Sequence, residues 1–211
     1  MPTVGNSNSL GTNNSPGNVT LQHGPCLIII SVYFGAIGVP PTAVTVDGNP
    51  ASLVMPGLVN PVGVPTWLGV YYFYAPYTAL STISVSWAGV SQLNLLVAEI
   101  DNTLSSQFFD AMNEIETVVN PYQNPIAAGT PNRIIIEAFA GGGLGFSWGP
   151  TSGQQAIVDQ YYAATCVLAY LYPGNGVTIS GTFTNACGDI AFGIIDLSQD
   201  LVWRKRGGFF Q

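Results

Sequence analysis

Cys26-Leu27-Ile28-Ile29-Ile30-Ser31-Val32-Tyr33-Phe34 is a nearly continuous apolar run, and its reading decides the fold. Followed on to Val39, it meets Pro40-Pro41 well short of the ~20 residues that a membrane-spanning helix needs. No basic residue precedes it and the polar segment 1–25 does, so no cleavable signal peptide is visible. Its β-branched and aromatic residues read as a buried strand.

Outward from this run the chain keeps the same character. Ala43–Val46 and Ala51–Val54 flank Asp47-Gly48-Asn49, a hairpin with turn chemistry at its centre. Trp67–Tyr74 is aromatic and stops before Pro76. Ile83-Ser84-Val85-Ser86-Trp87 alternates with the period of two of a half-buried strand, and Leu93–Ile100 reads as another buried one. Further on, Arg133–Phe139, Ala156–Tyr162, Thr165–Tyr172, Val177–Thr184 and Ile190–Leu197 are again strand-like. One segment differs. Phe108, Met112, Ile115 and Val119 recur at helical spacing and predict a short helix over Phe108–Val119.

The two strand zones echo each other. Leu27-Ile28-Ile29-Ile30 returns as Arg133-Ile134-Ile135-Ile136, and Gly69–Pro76 as Val167–Pro173. Thr82-Ile83-Ser84 returns as Thr178-Ile179-Ser180, and Glu99-Ile100-Asp101 as Ile194-Ile195-Asp196. The spacing is roughly a hundred residues throughout. The expected fold is therefore all-β: an antiparallel β-sandwich, jelly-roll-like, built from two pseudo-repeated halves, with one short helix. One sandwich is preferred to two small tandem ones, because ~75 residues per half make a thin independent core. The expected plan is a flexible polar N-terminal arm over 1–25, a sandwich over 26–198 with a connecting insert at 102–132, and a C-terminal tail over 199–211.

Composition narrows the function classes. The 211 residues hold 4 Lys+Arg against 11 Asp+Glu, a formal charge of −7, and charged residues are 7% of the chain, where roughly a quarter is usual. The 25 Gly and 15 Pro exclude a helical bundle. Abundant aromatics exclude a disordered chain. So few basic residues exclude a phosphate-neutralising groove, and no nucleic acid is expected as partner.

The chemical motifs are weak when read one by one. Gly145-Phe146-Ser147-Trp148-Gly149 matches G-x-S-x-G, but Pro150 and Gly153 oppose the helix such an elbow needs, and His23, the sole histidine, lies far upstream. Gly141–Gly145 lacks the lysine of a phosphate loop and reads as a turn. Cys26, Cys166 and Cys187 form no C-x-x-C; with one histidine they build no zinc site and read as small hydrophobes. Asp101, Asp110, Glu114 and Glu116, with Asn102 and Asn113, carry the oxygens of a hard-cation site, but a solvated acidic helix face accounts for them and is preferred. Trp67, Trp148, Trp203 and Tyr71, Tyr72 and Tyr74 suggest a sugar-stacking platform, against which core and cross-strand pairs are preferred. Asn13-Asn14-Ser15 and Asn18-Val19-Thr20 are N-glycosylation sequons at Asn13 and Asn18. No catalytic residue, cofactor or metal ligand is expected.

Val44-Thr45-Val46-Asp47-Gly48, Tyr71–Pro76, Ile83–Trp87 and Leu95–Ile100 together resemble a β-sandwich domain of phage structural proteins and bacterial surface proteins. The resemblance spans roughly residues 26–198 and is strongest up to Asp101; the 102–132 insert and both termini depart from it. It implies an architectural role and no catalytic residues.

Lack of charge points the same way. Uncharged strands with weakly protected edges invite pairing with other chains. The expectation is a self-assembling structural subunit of an extracellular filament or virion shell, its partners copies of itself. The alternative is a carbohydrate-binding or adhesion module with a glycan contact. Val19 and Leu21 alternate as a short strand can, so the arm is expected to lie along a neighbouring subunit. Arg204, Lys205 and Arg206 form a basic patch on an anionic chain, and Phe209 and Phe210 follow Gly207-Gly208. That tail is expected to dock on an adjacent subunit, facing the acidic 99–116 segment, with the rings mattering more than exposed charge pairs.

Overall fold

The computed structural model describes residues 3–35, 39–54, 57–59, 66–89, 92–101, 109–117, 121–126, 133–142, 148–162, 164–172, 178–182 and 187–194. These residues are all strand and turn. The first half contains β1 (Thr3–Thr12), β2 (Gly17–His23), β3 (Cys26–Gly35), β4 (Ala43–Val46), β5 (Asn49–Pro50), β6 (Ser52–Leu53), β7 (Leu58–Val59), β8 (Trp67–Ala75), β9 (Ala79–Ser86) and β10 (Gln92–Asp101). The second contains β11 (Phe109–Thr117), β12 (Tyr122–Pro125), β13 (Ile134–Gly142), β14 (Gly149–Pro150), β15 (Gln155–Tyr161), β16 (Ala164–Leu171), β17 (Thr178–Thr182) and β18 (Cys187–Ile194).

Both halves follow one topology. In the first, an inner sheet runs β1-β10-β3-β8-β6, with β7 also on β8, and an outer sheet runs β2-β9-β4-β5. In the second, the inner sheet is β11-β18-β13-β16-β15 and the outer one β12-β17-β14. The last strand of each half inserts between its first and third, and the one before it between the second and fourth. That is the double Greek key of a jelly roll, with every pairing antiparallel. The β4–β5 turn holds Asp47 at φ 50° and Gly48 at φ 80°, the primed turn that matches strand twist. Asp47 Oδ1 also accepts the Thr82 amide at 2.7 Å.

The four sheets stack in the order outer, inner, inner, outer. Alternation along β3 shows it: Leu27, Ile29 and Tyr33 enter one core with Ile134, Ile136, Ala138 and Phe192 of the second half. Ile28, Ile30, Val32 and Phe34 enter another, with Val19, Leu21, Ile83 and Val85 of the first outer sheet. A third core lies between β13, β16 and the second outer sheet, around Ile135, Phe139, Val167 and Ile179. An inner strand covered on both faces has no solvent-facing positions, which is why Cys26–Phe34 does not alternate. The objection to two thin sandwiches falls away, because the halves share the central core.

Three expectations are corrected. Phe109–Thr117 is not a helix but β11, the edge strand beside β18. Between Asp110 and Asn113 it advances three residues against two on β18; this bulge breaks the period of two that marks a strand. Residues 3–12 and 17–23 are not a free arm but strands paired with β10 and β9. In β2 the even positions face solvent and the odd ones the core, so half its polarity is simply its outer face. The described parts of the 102–132 insert are strands of the second jelly roll.

The first strand also ties the layers together. Asn6 Nδ2 and Asn8 Nδ2 donate to Gln22 O and Thr20 O on the open edge of β2, at 2.9 and 2.8 Å. The intervening Ser7 Oγ and Ser9 Oγ donate to Ile157 O and Asp159 O of β15, at 3.3 and 3.2 Å. Alternate side chains of one strand thus satisfy edge carbonyls of two other sheets.

Candidate functional site

Glu137 on β13 lies opposite Ala191, and Asp189 on β18 lies opposite Phe139. Antiparallel pairing therefore makes the two carboxyls diagonal neighbours on one face, the face that meets the second outer sheet. Both are fully buried, as are Tyr122 and Asn124 of β12 opposite them. The Tyr122 hydroxyl donates to Glu137 Oε1 and accepts the Trp148 indole N–H at 3.0 Å. Asn124 Nδ2 donates to Asp189 Oδ2 at 2.7 Å. Gln154 approaches the Glu137 carboxyl from the same side, and Glu137 and Asp189 are within hydrogen-bond reach of each other. Glu137 Oε2 and Asp189 Oδ1 receive no N–H or O–H from other residues.

Burial dominates the electrostatics. It pushes the Glu137 carboxyl up to about 7 despite the hydrogen bond from Tyr122. Burial and then the Glu137 charge push Asp189 well up. Tyr122 rises too, from burial first and the two acids next, so its hydroxyl keeps its proton. On the matching face of the first half β3 presents only Cys26, Ile28, Ile30, Val32 and Phe34, and the acids Glu99 and Asp101 stand at one end of β10. In the second half the carboxyl pair lies inside the outer core, whereas in the first half the acids lie at its rim beside the β2–β3 turn. Acid–base work on a glycosidic bond needs carboxyls ~5 Å or more apart beside a cleft; these touch one another and are sealed.

A second carboxyl cluster sits where β1, the β2–β3 turn and β10 meet. Glu99 Oε2 accepts the Asn6 amide at 2.9 Å and Asn6 Nδ2 at 3.2 Å, and Oε1 accepts the Gly24 amide at 2.7 Å. Burial alone would raise Glu99, but these donors, with Asp101 and His23 beside it, hold it below the usual carboxylate value; burial and Glu99 hold Asp101 above. His23 spans Ser81 Oγ and Gly24 O, both at 2.8 Å. This is a buried fastening of the N-terminal strands.

The sequence candidates fall as follows. Val19 and Leu21 are 7% and 2% exposed, inside the chain's own core. Asn13 and Asn18 are exposed, Asn13 in the β1–β2 turn and Asn18 on the outer face of β2. Asp101 is on β10, whereas Asp110, Asn113, Glu114 and Glu116 lie on β11 of the other half. Among the described residues no group of three or more His, Cys, Asp or Glu is placed to hold a metal ion. Trp67 is buried against Phe34 and Tyr71, and Trp148 is bonded to Tyr122. Cys26 and Cys166 are buried thiols that burial raises to about 12. Asn102, Ser147, Trp203, Arg204, Lys205, Arg206, Phe209 and Phe210 lie outside the described residues. No helix among the described residues is long and apolar enough to cross a membrane.

A cavity of about 360 Å³ opens between the halves, lined by Thr3 and Val4 of β1 and by Ile134, Gly153, Gln155, Tyr170 and Tyr172. Comparison of the chain with protein families, with characterised proteins and with solved structures found no match.

Proposed function

We propose that the protein is a non-catalytic structural subunit that assembles with copies of itself into an extracellular filament or virion shell. The location of its charge carries this reading. Glu99, Arg133, Glu137 and Asp189 are buried, and among the described side chains only Asp47, Asp101 and Asp159 bring charge toward solvent. A protein that stays monomeric in crowded solution normally holds its neighbours off with surface charge. The described surface is mainly Ser, Thr, Asn, Gln and Gly, with Leu80 64% exposed on the first outer sheet. Faces of this kind suit close packing against other subunits. Arg204, Lys205 and Arg206 supply a basic patch for an anionic neighbour, and Phe209 and Phe210 supply apolar anchors. Val19 and Leu21 have no part in this, being committed to the internal core. The resemblance to phage and surface-protein sandwiches supports the same role.

Size exclusion with negative-stain microscopy tests the reading. Polymers or closed shells of the purified chain are expected; a monodisperse monomer at all concentrations and salt conditions would overturn it. A carbohydrate-binding or adhesion module is the second reading, favoured by the cavity with Tyr170, Tyr172 and Gln155 on its wall. Retention on a glycan column, lost in Tyr172→Ala, is its signature.

A further inference from the structure

We propose that Glu137 and Asp189 share a single proton in the folded protein, and that this proton locks the outer sheet β12-β17-β14 onto the second inner sheet. The geometry demands a donor between them. Their outer oxygens are served by Tyr122 and Asn124, while Glu137 Oε2 and Asp189 Oδ1 have none from the rest of the protein. Two carboxylates in contact in an apolar core repel with little solvent screening. One carboxylic acid donating its O–H to the facing carboxylate removes that repulsion and satisfies both inner oxygens at once.

Among the described side chains the surroundings offer no other charge for the pair. From β12 it meets Tyr122 and Asn124; from the β13–β15 connection, Trp148 and Gln154. The remaining core partners on β13, β16, β17 and β18 are Ile135, Phe139, Val167, Ala169, Ile179 and Ala191. Among the described side chains Tyr122 is the titratable group facing the pair, and its hydroxyl stays protonated. Arg133, also buried, lies one residue before β13, and neither carboxyl owes its shift to it.

The pH dependence has a fixed sign. Both folded-state values lie above the unfolded ones of ~4, so the folded state binds more protons and stability falls as pH rises. Stability is greatest below about pH 4; Glu137 gives up its proton at about 7, leaving the shared one on Asp189, and the lock is lost as pH rises further through the raised Asp189 value. When the second charge appears, Tyr122 and Asn124 must part from the pair. The end of the first outer sheet around 17–19 and 83–86 packs on Val19, Ile83, Val85 and Leu93 and has no such pair.

Hydrogen exchange on the full chain, corrected for intrinsic rates, tests this between about pH 5 and pH 8.5. Protection of 122–125 and 178–182 is expected to fall by roughly tenfold or more, following about one unit of differential protonation, while protection of 17–19 and 83–86, at the end of the first outer sheet away from Glu99, stays level. Glu137→Gln supplies a permanent donor and is expected to flatten the profile; Asp189→Asn serves if that variant fails to fold. A level wild-type profile, an equal fall in both halves, or an unchanged slope in the folded amide variant overturns the proposal. So does protection at pH 8.5 restored by calcium alone and removed by chelator, because a cation and not a proton then fills the gap.

Discussion

The Trp67 indole lies against two glycines from different parts of the chain. A Cβ on Gly69 would fall 2.0 Å from its Cη2, and one on Gly57 2.3 Å from its Cε2. Neither glycine takes a left-handed backbone; what each provides is the missing atom. Phe34 and Tyr71 hold the ring from other sides, so it has little room to shift. Gly69→Ala is expected to cost about 1–3 kcal/mol, the range for overpacking a filled core, read as a lower urea midpoint at unchanged slope. A variant as stable as the parent would mean that the ring moves freely. At this scale the sequence was only partly legible. Glu137 stands out as a lone acid in Ile134-Ile135-Ile136-Glu137-Ala138-Phe139, yet nothing local names Asp189 as its neighbour. The register of β13 on β18 decides that, and register is a long-range property.

At the scale of elements, β1 carries more than its composition suggests. Asn6-Ser7-Asn8-Ser9 reads as linker because every residue is small and polar, but the alternation lets the amides cap β2 and the hydroxyls cap β15. Asn6→Ala with Asn8→Ala leaves two carbonyls of β2 without these donors. A loss of about 1–3 kcal/mol is expected from the two carbonyl bonds together with the Asn6 bond to Glu99, with faster aggregation by light scattering as an edge opens. Deleting residues 1–22 goes further. It removes β1 and nearly all of β2, uncovering β10 and the Leu93, Leu95 and Val97 side of the core. The truncated chain is expected not to fold at all; a cooperative thermal transition near that of the intact chain would show that these strands are dispensable. The misread β11 has the opposite cause. Helical spacing was real there, but pairing with β18 and one bulge override a weak local preference.

For the whole molecule, the echoes between Leu27–Ile30 and Arg133–Ile136 and between Thr82–Ser84 and Thr178–Ser180 fall on β3 and β13 and on β9 and β17, equivalent strands of the two jelly rolls. Duplication was therefore legible, but not that the copies stack on each other. Contacts between the inner sheets are reciprocal: β1 meets β15 at one rim and β11 meets β7 at the other, with β10 on β16 and β18 on β8 between them. This is the arrangement of a two-fold dimer with a chain link added. The link is then unnecessary once the halves have met. A protease site placed between Asp101 and Phe109, cleaved after folding, is expected to leave both pieces together on size exclusion. Leu27, Ile29, Ile134, Ile136 and Phe192 stay buried, and each such side chain returned to water costs about 1.5–3 kcal/mol. Asn94 Nδ2 adds a polar tie to Ala164 O at 3.1 Å across the same core. The cleaved protein should part only in denaturant. Separation in native buffer would mean that the central core is a weak domain contact and that each jelly roll stands by itself.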